Sequence, residues 1–306
     1  MIIKKFKFSM LGFLSLLAIA AFQSGCLSDG TNAEREINDA IEADEELAED
    51  FNKAKQVFYS LPSPIETAML MKRAGAKYNE EYLNTTDNIP NYTTNKSMAL
   101  NLGVYSADLS FSSMFDQSQA AIKYLSATKK LAEELGILNA VDKSIIDRME
   151  ANVNNRDSLM EIISETFMNS NSFLKENDRA ETAAIILVGG WVEGLYIATQ
   201  IAKATEQNSE LIERIVDQRL SLATLISLLE EYEEDDENVA SLLPNLREMK
   251  GIYDKVQISS SGVEVKTDEQ SGKTTISSKS ESSISPEIFE ELCVKSESLR
   301  NKIVNG

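Results

Sequence analysis

The sequence predicts an all-α protein: an antiparallel bundle of about nine or ten helices with a small β-hairpin or disordered insert near the C-terminus. Three observations carry that expectation. Five prolines and thirteen glycines are spread over 306 residues, which leaves long stretches free for helix. Apolar residues recur at separations of three and four, the spacing that lines one face of a helix. Start and stop signals, such as Ser63-Pro64-Ile65-Glu66 and the Gly136 that follows Leu135, punctuate these stretches. No period of 30–50 residues recurs, so a repeat solenoid is the lesser reading.

Residues 1–25 read as a leader. Lys4, Lys5 and Lys7 form a basic start, and residues 8–22 form an apolar run of fifteen, short of the roughly 20 needed to cross a bilayer as a helix. Residues 26–33 then form a polar tether, and 34–306 a single helical domain. Ile37, Ala40, Leu47, Phe51, Ala54 and Phe58 give 32–60 one apolar face opposite an almost wholly acidic one. Ser63 as N-cap, Pro64 at the first helical position and Glu66 in a capping box start a second helix running to 83. TTDNIPNYTT is turn-rich and breaks the pattern. A third helix covers 95–115 and is broken near Asp116; a fourth ends where Gly136 takes the left-handed C-cap conformation.

Two shorter helices follow at 142–153 and 157–174, and Asp178 is placed to cap the N-terminus of ETAAIILVGGWVEGLYIATQIAKA. That segment is apolar around most of its circumference, the mark of a membrane span or of a central core helix. Glu193 in its middle, after an uncharged run limited to 182–192, favours the core. In 209–232, Leu211, Ile215, Leu222, Leu225 and Leu229 make a heptad-like seam, and EEYEEDDE is a solvated acidic turn. Pro244 puts the first turns of the helix expected at 238–256 into a kink or a loop. Residues 257–285 are polar and alternate at Val263, Val265, Thr267 and again at Thr274, Ile276, Ser278. This insert reads as a hairpin with DEQSG at its tip or as a disordered serine-rich segment. Ser285-Pro286-Glu287 restarts a helix that runs to the C-terminus.

Composition removes whole function classes. The formal net charge is −19, with 49 acids against 30 bases, which opposes non-specific binding to nucleic acid and adhesion to anionic lipid by charge. There is no histidine, so Ser-His-Asp and Cys-His catalysis and His-ligated zinc are unavailable. Two cysteines, Cys26 and Cys293, cannot build a disulfide framework or a four-cysteine metal site in one chain. Cys293 falls on a helical pattern with Phe289, Leu292 and Leu299 and reads as a core thiol. No phosphate-binding glycine loop, nucleophile elbow or zinc-helix motif is present, and no cofactor or metal is expected.

Two places remain as candidate sites. Gly189, Gly190 and Gly194 interrupt the most apolar helix around Trp191, which points to close helix packing against Gly190 and Gly194 or to a ligand pocket lined by Trp191 and Tyr196 with Glu193 as a buried carboxylate. A charged residue in a core helix is usually paired, so an Arg or Lys from another helix is an alternative fate for Glu193. Asp108, inside the third helix, forms with Glu193 the one carboxylate pair considered for acid–base work or a cation site.

Gln23-Ser24-Gly25-Cys26, directly after the apolar run, resembles a bacterial lipobox, with Gln23 where an aliphatic residue is usual. The resemblance implies that Cys26 is acylated, palmitate-type chains included, and becomes a membrane anchor. Leu27 after the cysteine implies the outer membrane rather than retention in the inner one, and Ser28-Asp29 is similar to surface-export signals. Ala18-Ile19-Ala20 offers ordinary signal peptidase a competing site. With the lipobox, NLGVYSADLSFSSMFDQSQAAIKYLSATKKLAEELGI and LVGGWVEGLYIATQ look like helical lipoproteins of the Bacteroidota type, a grouping whose motifs carry no known chemistry. The resemblance covers most of the mature chain and implies location and fold only. The expected role is a non-enzymatic interaction or scaffold protein of the envelope with a protein partner. A binding protein for a small apolar or cationic ligand near Trp191 and Glu193 is the alternative, and a histidine-free carboxylate enzyme comes third.

Overall fold

Several helices begin or end at caps that the sequence supplies. The computed structural model describes residues 76–137, 143–205, 209–260, 264–267, 274–277 and 280–306. The leader, Cys26, the helix expected at 32–60, most of that at 63–83 and the DEQSG tip lie outside them. The helix expected to continue to 83 does not do so: 76–79 are irregular, and Glu80–Tyr82 form a single 3-10 turn capped by the Asn79 side chain, which accepts from the Glu81 N–H at 3.0 Å. A second 3-10 segment, Thr86–Asn91, contains Pro90 and carries the turn-rich sequence.

Helix α1, Asn95–Met114, opens with a capping box in which Thr94 and Ser97 satisfy each other's backbone N–H groups. It stops where Asp116 adopts φ 58°. Helix α2, Ser118–Glu134, ends in a Schellman motif: Ile137 N–H donates to the Ala132 carbonyl at 2.9 Å and Gly136, at φ 69°, donates to Glu133. Helices α3, Lys143–Ala151, and α4, Arg156–Glu176, follow. Here one expectation is corrected. Asp178 does not cap the helix after it; it closes the one before it, taking φ 55° while Arg179 N–H reaches back to the Leu174 carbonyl at 2.8 Å. Aspartate tolerates the left-handed region better than most residues, so it serves in glycine's usual place.

Helix α5, Ala180–Ala204, is the central helix. By length and composition it is apolar enough to cross a membrane, but it packs against α1, α4, α6 and α9 and is buried on nearly all sides. Helix α6, Ser209–Glu230, turns the whole heptad-like seam from Leu211 to Leu229 inward. After the acidic turn the expected single helix is split by Pro244 into α7, Glu237–Ala240, and α8, Leu243–Tyr253, with the proline in the first turn of α8 where it forfeits no hydrogen bond. Strand β1, Gln257–Ser260, pairs antiparallel with β4, Ser280–Ser283, and β2, Glu264–Thr267, with β3, Thr274–Ser277, placing Val265 opposite Ile276. Helix α9, Pro286–Val304, is capped by the Ser285 hydroxyl and returns to the core. The nine described helices make an all-α bundle with one two-part hairpin.

Helices α1 and α5 approach backbone to backbone. A Cβ on Gly103 would overlap the Ile186 carbonyl, and one on Gly189 would overlap the Leu100 carbonyl. This revises the expected pair of contact glycines. Gly190 does lie in the contact, its backbone N in the way of a Cβ on Gly103, although a Cβ added at Gly190 itself would sit at an ordinary 3.4 Å from the Gly103 carbonyl. Gly194 faces open space.

Candidate functional site

Polar side chains are rare in the core, and its two buried carboxyls lie where α1, α5 and α9 meet. Asp108 on α1 and Glu193 on α5 are both fully buried, and Arg300 on α9 is the cation that the sequence left unidentified. Its Nε donates to Glu193 Oε2 at 3.1 Å and its Nη2 to Oε1 at 3.3 Å, a two-point fork matched to the carboxylate. The same guanidinium lies over the Tyr196 ring with its carbon 4.9 Å from the centroid. Glu193, Tyr196 and Arg300 therefore form one unit, in which the position that a cationic ligand would take is filled by the protein's own arginine.

Asp108 stands beside that unit without a cation of its own. Its Oδ2 accepts the Asn84 N–H at 3.1 Å, while Oδ1 has no hydrogen-bond donor. Burial, and then the charge of Glu193, push the Asp108 carboxyl well above the usual carboxylate range against the weaker pull of the Asn84 N–H and Arg300. Burial also raises Glu193, opposed by Arg300. The two carboxyls the sequence singled out are thus brought together.

Around them a polar network ties three distant parts of the chain. Asn84 Nδ2 donates to Tyr92 Oη at 2.9 Å, and Tyr92 Oη donates to the Val304 carbonyl at 3.0 Å. Asn101 Nδ2 donates to the Ile303 carbonyl at 3.0 Å, and Tyr105 Oη to the Thr85 carbonyl at 2.8 Å. The last carbonyls of any helix lack intrahelical donors, and when that end is buried side chains must supply them. Asn101 and Tyr92 do so for α9. Neither was visible as a site residue in sequence, because nothing local marks the carbonyl that a residue two hundred positions away will meet.

Trp191 takes no part in this network. It is 3% exposed, and its Nε1 has no hydrogen-bond partner. Cys293 is fully buried, and burial pushes its thiol up to about 11. Among the described residues no group of three or more His, Cys, Asp or Glu is arranged to hold a metal ion. An open groove of about 1040 Å3 lies elsewhere, between α8 and α9, lined by Gly251, Ile252 and Val294 and edged by Glu248, Lys255 and Glu287. Comparison with protein-family models, curated proteins and solved structures finds nothing that matches the chain.

Proposed function

We propose that the chain is a lipid-anchored extracytoplasmic helical protein with a non-enzymatic interaction or scaffold role at the outer membrane. The observation that carries the reading is the pairing of a lipobox-like Gln23-Ser24-Gly25-Cys26 with a helical body whose buried carboxylates are engaged internally. A catalytic acid or base must reach substrate; Glu193 is fully buried and held at both oxygens by Arg300. Acylation at Cys26 supplies the membrane attachment, and the acidic composition keeps the body in solution beside the lipid.

The test is in-cell crosslinking and pull-down of tagged chain, with Cys26→Ala beside the wild type and palmitate labelling of both. The expected outcome is label on the wild type only and a stoichiometric protein partner that is lost with the anchor. An unlabelled wild type rules out the anchor, and recovery of the labelled chain alone counts against the scaffold role.

A further inference from the structure

Two fully buried carboxyls meet one part-buried guanidinium, so one negative charge has no counter-charge if both acids ionise. Four carboxyl oxygens are at stake. Both oxygens of Glu193 accept from Arg300, and Asp108 Oδ2 accepts from the Asn84 N–H. The fourth, Asp108 Oδ1, has no donor. The hydroxyls of Ser112, one turn along α1, and of Tyr78, stacked on Phe111, are buried nearby and equally unpartnered, so neither donates to it. An ionised oxygen in that position would go unsolvated, at a cost far above that of an unpaired neutral group. An oxygen bearing a proton would instead be a donor, and Glu193 is the side chain that faces Asp108 as an acceptor.

We propose that Asp108 is held as a neutral carboxylic acid whose proton, carried on Oδ1 and donated to Glu193, locks α1 onto the ion pair between α5 and α9, so that the body is tightened by acid and loosened by alkali. The proton comes from water as the chain folds and returns there on unfolding, where the aspartate ionises in its ordinary range. The groups facing Asp108 agree with this. They are Glu193 from α5, Arg300 from α9, Tyr124 from α2, Tyr78 and the Asn84 N–H from the segment before α1, and Tyr105 on α1 itself. Burial, before any neighbouring charge, pushes all three tyrosines upward, so they stay neutral and Arg300 is the one cation among them. The described acids of α4, which also packs on α1, are Asp157, Glu161, Glu165 and Glu176, and all are exposed to water. The Asp108 carboxyl stands raised over its unfolded value, so its contribution is complete at low pH and is lost as pH climbs toward the folded value.

The experiment is urea unfolding of the full chain, wild type and Asp108→Asn, from about pH 5 to about pH 9. Asparagine keeps the acceptor for the Asn84 N–H and replaces the acid proton by an amide donor that cannot be lost. The folding equilibrium constant of the variant divided by that of the wild type is expected to rise about tenfold per pH unit above the ordinary aspartate range, leaving the variant the more stable at pH 8. A ratio independent of pH, or a variant weaker than wild type at pH 8, overturns the proposal. Infrared spectra of the folded wild type at pH 7 decide the matter even if Asp108→Asn does not fold. A protonated-carboxyl C=O band is expected to survive among the ionised carboxylates, and its absence sinks the idea.

Discussion

Arg300 makes Glu193 tolerable in the core. A fully buried glutamate is costly unless paired, and removing one partner of a buried pair strands the other. Arg300→Ala is therefore expected to destabilise the chain by about 3–5 kcal/mol, read as a lower urea midpoint with an unchanged slope. Arg300→Lys keeps the charge and loses the fork and the flat face on Tyr196, so it should recover only part of that loss. Equal midpoints for the alanine and lysine variants would show that the charge contributes nothing.

The glycines distinguish packing from propensity at the level of the helix. Gly189 and Gly103 are where α1 and α5 press backbone to backbone, and a methyl group at either has nowhere to go. Gly189→Ala is expected to cost at least about 1–3 kcal/mol through overpacking, partly offset by its better helix propensity. Gly194→Ala lies on the same helix facing open space, so only propensity acts, and it should stabilise by about 1 kcal/mol. Thermal melts of the two variants that shift in the same direction would refute the assignment of Gly189 to the contact.

For the whole molecule, the C-terminal helix and the hairpin that precedes it contribute unequally. The last turns of α9 bring Leu299, Arg300, Ile303 and Val304 back into the core, and Asn101 and Tyr92 close the final carbonyls. Ending the chain at Ser298 is expected to abolish cooperative unfolding, monitored by near-ultraviolet circular dichroism. The hairpin is different, because β1 pairs with β4 and β2 with β3, so its ladder is satisfied within itself. Replacing residues 261–279 by a short glycine-rich turn should alter stability by only about 1 kcal/mol, since loop-length changes act weakly on closure entropy. A large loss would mean that the hairpin is needed to hold the helical body together.

The sequence by itself determined most of the described helices, because periodicity and caps are local. The Leu211 to Leu229 seam, the Thr94 start, the Gly136 stop, the Pro244 interruption and the Ser285 cap all depend on residues within a turn or two of each other. The fate of Asp178 was harder to read, since the same side chain suits an N-cap and a left-handed C-cap, and the incoming helix decided between them. Asp108 and Glu193 stood out as acids in apolar helices, so their burial was legible. That they meet was not, and still less that Arg300 answers one of them from more than a hundred residues away. Only tertiary structure decided which glycine is pressed by a backbone, which cation reaches which acid and which carboxyl oxygen is left without a donor. Those outcomes depend on the crossing of α1, α5 and α9 in space, and no local spacing in the chain encodes a crossing.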